Sequence, residues 1–173
     1  QLPDKCVDLV LTDPPYGIGI SNKVGGDNLG KAKDYGECKW DFSIPNPEVF
    51  QEIFRVSKNQ IIWGGNYFTE NLKNSSCWLV WNKLNSGNFA DCELAYTSFK
   101  TAVRKIDWLW NGMLQGNMKE KEERLHPTQK PIPVFKWCIE DYSKPDQIIL
   151  DPFMGSGTTA VACERLGRKW FGC

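Results

Sequence analysis

Short apolar segments alternate with segments of helical periodicity along this chain, and this alternation restricts its fold more than any other feature. The predicted strands cover residues 7–11, 60–63, 78–81, 93–99, 106–110, 147–150 and 169–172. The predicted helices cover residues 47–56, 66–72, 131–142 and 158–166. Strands that alternate with helices are typical of βαβ units, so we expect an α/β fold with a doubly wound, mainly parallel sheet.

Length and the two termini set the domain organisation that we expect. The 173 residues suit one domain with a single substantial core. No apolar run approaches the ~20 residues that a membrane span needs, and the first residues have no signal-peptide features. The chain begins without Met and stops inside the predicted strand at 169–172. We therefore expect a domain that is truncated at both ends.

Charge and cysteine content give little indication of a ligand. Lys and Arg number 21, Asp and Glu also number 21, and the net charge is zero. A protein that binds nucleic acid usually carries a basic excess, so charge alone does not predict such a partner. The seven cysteines include no CxxC pair, and His126 is the only histidine. We predict no metal site, and cysteines that stay reduced in a cytoplasm.

Two predicted strands end in an aspartate followed by proline, at Asp13 and at Asp151. In doubly wound sheets, ligands bind outside the carboxyl ends of strands. The first aspartate opens the sequence Asp13-Pro14-Pro15-Tyr16. An aromatic amine is a poor nucleophile because its lone pair is delocalised, and two acceptors, the Asp13 carboxylate and the Pro14 carbonyl, can localise it. Tyr16 can stack on a base that has left the duplex. A plain turn is the alternative interpretation.

The second aspartate opens the glycine-rich sequence 151–157, which leads into the predicted helix at 158–166. Gly155 and Gly157 allow the backbone to approach a ligand, and the amino end of the helix favours negative charge. Neither a phosphate loop nor a dinucleotide fingerprint is present, because both need other residues after the glycines. The sequence suits a nucleoside that carries a carboxylate, and a turn without a ligand is the alternative.

These motifs together resemble a known family, the amino-methylating DNA methyltransferases of the beta group. Asp13-Pro14-Pro15-Tyr16 is similar to the family's catalytic motif, and residues 151–159 are similar to its cofactor motif. The sequence from His126 to Pro131 is similar to the segment that leads into a helix beside the methionine end of the cofactor. Residues 63–68 and 78–83 also resemble strand ends of phage and prophage members. Three motifs in this order are highly specific.

The resemblance implies a single methyltransferase catalytic domain over residues 1–173, with S-adenosyl-L-methionine as cofactor and double-stranded DNA as substrate. It implies that Asp13, Pro14, Pro15 and Tyr16 are catalytic. It implies a cofactor site made of Asp151, Phe153, Gly155, Ser156, Gly157, Thr158, His126, Thr128 and Lys130. We expect a short insert for target recognition near residues 100–125. Residues 17–40 have no periodicity, and we expect them to form a mobile lid that closes over the flipped base.

The acceptor that the resemblance favours is adenine N6, because Asp rather than Ser begins the catalytic motif. The alternatives are transfer to cytosine N4 or to an RNA base, and a non-catalytic DNA-binding relative or an inert fragment. A methyltransferase that modifies glutamine can also use an x-Pro-Pro-Tyr motif. In such enzymes, however, the cofactor loop comes before that motif, which is the reverse of the order in this chain. The implied location is the cytoplasm of a prokaryotic or phage-infected cell. Whether the protein forms a homodimer, and whether a restriction endonuclease belongs to the same system, is left open.

Overall fold

The computed structural model describes residues 2–19, 41–85, 90–111, 114–126 and 128–173. The strands of these residues are β1 (Val7–Thr12), β2 (Ser57–Trp63), β3 (Trp78–Asn82), β4 (Cys92–Thr97), β5 (Arg104–Asp107), β6 (Trp110–Asn111), β7 (Leu114–Gln115), β8 (Ile148–Asp151) and β9 (Lys169–Gly172). The α-helices are α1 (Pro47–Val56), α2 (Ile132–Tyr142) and α3 (Thr158–Arg165).

Seven of these strands form one sheet in the order β5-β3-β4-β2-β1-β8-β9. The β1–β2, β1–β8, β8–β9 and β3–β5 pairs are parallel. β4 is antiparallel to both of its neighbours, β2 and β3. The structure therefore confirms the predicted α/β fold with a mainly parallel sheet, and β4 is its exception.

The helices cover both faces of the sheet, as a doubly wound fold requires. α1 buries Phe50, Ile53 and Val56, which lie on one face at helical spacing, against Val10 and other residues of one core cluster. α2 and α3 pack on the opposite cluster. Pro47 begins α1 because a proline in the first turn loses no helical hydrogen bond.

One edge of the sheet collects the carboxyl ends of the parallel strands and the first residues of β4. β1 and β8 are parallel neighbours, with Leu9 opposite Ile149, so the residues after both strands lie side by side. Because β4 runs the other way, its first residues reach the same edge, and Trp81 at the end of β3 lies opposite Glu93. We call this the carboxyl edge, after the carboxyl ends of β1, β2, β3 and β8.

Two predicted elements differ from those observed. Residues 66–72 are not a regular helix but parts of two single 3-10 turns, Gly65–Tyr67 and Thr69–Asn71. So short a segment gains too few helical hydrogen bonds to offset nucleation, and burial of Phe68 fixes the break between the turns. The predicted strand 106–110 is divided between β5 and the separate β6–β7 hairpin.

Other predictions fall partly outside the described residues. The predicted lid at 17–40 is described only at residues 17–19, so its mobility stays a prediction. Within the described part of the chain, no helix is long and apolar enough to cross a membrane.

Candidate active site

A hydrogen bond between the ends of β1 and β8 joins the two predicted motifs. Thr12 Oγ1 donates to Asp151 Oδ1 over 2.6 Å. Thr159 Oγ1 donates to the other oxygen of the same carboxylate, and the Phe153 amide donates to Oδ1 over 3.0 Å. Burial raises the pKa of Asp151, although these three donors oppose the shift. The Asp151 carboxylate therefore holds the glycine-rich turn in place beside β1.

The glycine-rich turn depends on two left-handed backbone positions. Gly155 has φ of 50° and Gly157, which caps the amino end of α3, has φ of 79°. A Cβ atom at Gly157 would meet no atom within 4 Å, so its conformation rather than crowding requires glycine there. Gly172 differs, because its Cβ would lie 2.4 Å from Met154 Sδ. β9 thus supports the turn from one side, and the other side is open.

A cavity of about 530 Å³ lies over this turn. Its size is within the range of cofactor pockets. It is lined by all the predicted cofactor residues except Gly157, and by Asp13 and Pro15 of the catalytic motif. The other lining residues are Gln129, Pro152, Met154 and Thr159, which belong to the same motifs, and Phe135 and Cys173, which the motifs do not include. The structure therefore brings the three motifs around one space.

Asp13 faces this cavity at the end of β1, and two donors hold its carboxylate. Tyr16 Oη donates to Asp13 Oδ1 over 2.6 Å, and Lys130 Nζ donates to Oδ2 over 2.7 Å. Burial raises the pKa of Asp13, while the Lys130 ammonium acts in the opposite direction. Burial and the neighbouring carboxylates raise the Tyr16 pKa well above its ordinary value. Tyr16 is therefore a neutral phenol that donates to Asp13.

Packing and backbone contacts fix the Tyr16 ring. It stacks on Tyr67, with ring centroids 4.8 Å apart and planes 15° apart. Gly64 lies so close that a Cβ there would be 2.1 Å from Tyr16 Cε1. The Tyr16 and Gly17 amides both donate to Asp41 Oδ1, over 2.8 and 3.1 Å. Asp41 is 1% exposed. The role of Asp41 could not be predicted from the sequence, because nothing in the local pattern connects it with Tyr16.

A second carboxylate, Glu93 at the start of β4, was also missed. Lys83 Nζ lies 2.6 Å from Glu93 Oε1, and Lys130 Nζ lies 3.0 Å from Oε2. Burial by itself would raise the pKa of Glu93, but the Lys130 and Lys83 ammonium groups bring it down to about 2. Glu93 is therefore an anion that joins two lysines at the carboxyl edge.

The segment before α2 connects the two halves of the site. The Lys130 carbonyl accepts a hydrogen bond from Thr158 Oγ1 over 3.2 Å, at the beginning of α3. Its ammonium lies against Asp13. His126 Nδ1 and Thr128 Oγ1 are 3.0 Å apart, and burial lowers the His126 pKa. Lys130 was predicted to serve the cofactor, and the structure places its charged end beside the catalytic motif.

Solved structures that resemble the chain identify its fold. The PvuII DNA methyltransferase (cytosine-N4-specific) has a TM-score of 0.59 at 15% identity, over 99% of this chain and 76% of that chain. The complex of M1.HpyAVI with S-adenosylmethionine has a TM-score of 0.53 at 23% identity, over 97% and 82%. At these identities the likeness shows the fold alone. This fold is the Rossmann-like fold of S-adenosylmethionine-dependent methyltransferases.

Sequence comparison gives the family. A family model for DNA methylases of the N6/N4 type matches residues 70–173. The Type II methyltransferase M2.LlaDCHI of Lactococcus lactis subsp. cremoris is 38% identical over 218 aligned residues, which cover 99% of this chain and 78% of that protein. The chain belongs to the N6/N4 DNA methylase family. It is a DNA methyltransferase, and its methyl donor is S-adenosyl-L-methionine.

Proposed function

We propose that this protein transfers a methyl group to adenine N6 in double-stranded DNA, with Asp13 as the acceptor for the target amino group. The observation that carries the proposal is the position of the Asp13 carboxylate, which lines the cavity at the carboxyl edge and is held from two sides. Aspartate as first residue of the catalytic motif supports adenine, through the family resemblance.

The proposed chemistry needs an amino nitrogen whose lone pair points toward an electrophile. S-adenosylmethionine, when bound, supplies a methyl group on a positively charged sulfur, which is a good leaving group. The Asp13 carboxylate and the Pro14 carbonyl each accept one N–H bond of the amino group, and so localise its lone pair. A carboxylate has about four acceptor positions. The bonds from Tyr16 and Lys130 therefore leave room on Asp13 for the amino group.

The residues of this chain suit the cofactor on two grounds. The open side of the turn carries the hydroxyl groups of Ser156 and Thr158, and the left-handed Gly155 and Gly157 leave space above the backbone. Phe153 adds an aromatic surface to the same cavity. A nucleoside joined to an amino acid needs this mixture of apolar surface and hydrogen-bonding groups. In this assignment, Asp151 shapes the turn because its oxygens already accept hydrogen bonds from the chain.

We assign His126 and Thr128, which line the cavity, to the cofactor site, and Lys130 of the same segment contacts Asp13. Pro15 lines the cavity from the catalytic motif. Tyr16, fixed by Tyr67, is the proposed stacking partner for the flipped base.

Target recognition is proposed for the insert at residues 100–125. Arg104 and Lys105 are exposed on β5, which is an edge strand of the sheet. Exposed cations at this position can contact DNA phosphates. The β6–β7 hairpin follows directly and exposes Leu114.

Product analysis tests the proposed function. The protein is incubated with S-adenosylmethionine and DNA from a strain without DNA methyltransferases, and the DNA is digested to nucleosides for mass spectrometry. We expect N6-methyladenine, and far less of it from Asp13→Ala under the same conditions. N4-methylcytosine in its place would overturn the adenine assignment, as would methylation of RNA alone. The absence of any methylated base would overturn the enzymatic proposal.

A further inference from the structure

Glu93 is a partly buried acid that the proposed chemistry does not use. Its side chain is 19% exposed, as is that of Asp13, and both carboxylates contact the same ammonium group. Glu93 reaches this position because β4 is antiparallel to its neighbours, which brings the start of the strand to the carboxyl edge. A carboxylate placed there costs free energy unless it is paired, so its two lysine partners are required.

We propose that Glu93 is a positioning residue for methyl transfer, which shares the Lys130 ammonium with Asp13 and so leaves the charge of the Asp13 carboxylate partly uncompensated for the target amino group. The proposal rests on the assignment of Asp13 under the proposed function. Glu93 acts through Lys130 and needs no contact of its own with the base.

The hydrogen bonds of Lys130 support this role. Its side chain is only 5% exposed, and an ammonium group has three N–H donors. Three acceptors lie within reach: Asp13 Oδ2 at 2.7 Å, Glu93 Oε2 at 3.0 Å and Tyr16 Oη at 3.1 Å. The ammonium is therefore fixed between two carboxylates and is fully bonded.

Because Lys130 is shared between two carboxylates, the charge of Asp13 stays partly uncompensated, and this favours methyl transfer. Asp13, Glu93, Lys130 and Lys83 are neutral overall and Tyr16 is neutral, but Asp13 holds only a share of the Lys130 charge. Methyl transfer places positive charge on the amino nitrogen, and a carboxylate whose charge is only partly offset stabilises it. If Lys130 were paired with Asp13 alone, the two charges would cancel where the amino group must bind.

Lys83 keeps Glu93 in place for this task. It contacts Oε1 over 2.6 Å, whereas Lys130 contacts Oε2. Glu93 thus has a separate cation for its second oxygen and does not need to draw Lys130 away from Asp13.

The test measures the ionisation of Asp13 directly. The charged and titratable groups that act on Asp13 or respond to it are Lys130, Glu93, Tyr16, His126 and Asp151. Lys130 lowers the pKa of Asp13, and Glu93 raises it. In a carbon-13 NMR titration of the carboxyl groups, with Asp13 assigned from its loss in Asp13→Asn, Glu93→Gln should lower the Asp13 pKa. Lys130→Met should raise it.

Single-turnover methylation adds the functional readout. Glu93→Gln should slow methyl transfer by about tenfold, a common effect of losing one hydrogen bond to a charged group. The acidic limb of the pH–rate profile of Glu93→Gln should lie at lower pH than that of the parent. Glu93→Asp keeps the negative charge and should recover most of the rate. Glu140→Gln, an exposed acid on α2, is the matched control and should behave like the parent. The affinity for S-adenosylmethionine should stay at the parent value in Glu93→Gln, Glu93→Asp and Glu140→Gln.

Two results would overturn the proposal: transfer at the parent rate in Glu93→Gln, or a slower rate with the Asp13 titration unmoved. If Glu93→Gln does not fold, Lys83→Met tests the network from its outer end. In Lys83→Met, Glu93 should draw Lys130 away from Asp13, so the Asp13 pKa should rise. An unchanged Asp13 pKa in this variant would contradict the proposal. The proposed function fails separately, on the base that the parent protein methylates, whereas this inference is judged on the variants relative to the parent.

Discussion

Lys130 Nζ lies 2.7 Å from Asp13 Oδ2, although 117 positions of sequence separate the two residues. The contact joins the segment before α2 to the end of β1. The same lysine accepts a hydrogen bond through its carbonyl from Thr158 at the start of α3. The residues proposed for catalysis and those proposed for the cofactor are therefore parts of one connected structure, and variants must be chosen to separate their effects.

Asp13→Ala should separate chemistry from cofactor binding. It removes the proposed acceptor and should reduce single-turnover methylation of duplex DNA by at least ~10²-fold, the scale for losing one positioned polar group. Asp13→Asn keeps one acceptor oxygen and should retain more activity. Calorimetric titration should show S-adenosylmethionine affinity close to the parent value in both. Methylation by Asp13→Ala at the parent rate would leave only the plain-turn interpretation of this motif.

Gly157→Leu should weaken cofactor binding through the position of its side chain. Gly157 has φ of 79°, and Gly167 at the other end of α3 has φ of 61° with equally open surroundings. Leucine at either position costs roughly 1–2 kcal/mol of backbone strain. Only the first is part of the glycine-rich turn under the cavity. Gly167→Leu is therefore the matched control, and equal S-adenosylmethionine affinities in the two variants would contradict the cofactor assignment.

Gly64→Ala should displace the Tyr16 ring, because the new Cβ would lie 2.1 Å from Tyr16 Cε1. The loss of stability should exceed the roughly 1–2 kcal/mol that left-handed backbone costs alanine. In a Tyr16→Ala background the ring is absent and so is the clash. Gly64→Ala should then lower the free energy of unfolding only by the cost of the left-handed backbone. Urea denaturation of the two single variants and the double variant measures this coupling. Additive losses would show that the ring and Gly64 are not in the contact described.

The sequence predicted most strands and helices because their patterns are local. Apolar runs and helical spacing depend on neighbouring residues, and a proline or glycine marks where each element ends. The general rule for ligands at strand ends then brought Asp13 and Asp151 to one edge. The 3-10 turns after Gly64 could not be predicted in this way, because their form depends on tertiary burial of Phe68.

Glu93 was missed for a topological reason. A residue at the start of a strand reaches the carboxyl edge only if that strand is antiparallel to the others, and β4 has the same kind of apolar pattern as its neighbours. Asp41 was missed because its contact with the amide of Tyr16 joins two segments 25 positions apart. The direction of β4 in the sheet would have shown the position of Glu93, whereas the contact of Asp41 with Tyr16 needs the three-dimensional structure.

Acid should destabilise the protein in part through Glu93. Its pKa is about 2 in the folded protein, against an ordinary value of 4.5, so the ionised form is favoured by folding. This contribution is fully present above pH 4.5, and it is lost as the pH falls toward 2. The difference between the two pKa values corresponds to a loss of free energy of unfolding on the order of 3 kcal/mol.

Chemical denaturation of the parent and of Glu93→Gln at several pH values between 7 and 2.5 measures this contribution. Glu93→Gln should be the less stable protein at pH 7, because Lys130 and Lys83 lose a charged partner. The stability difference should shrink as the pH falls below 4.5. Asp13 acts in the opposite direction, since its raised pKa favours the folded state on protonation. This effect should be smaller in Glu93→Gln, where the Asp13 pKa is expected to be lower, so it offsets part of the narrowing. A stability difference that stays constant from pH 7 to pH 2.5 would show that the Glu93 carboxylate is not held ionised by the two lysines.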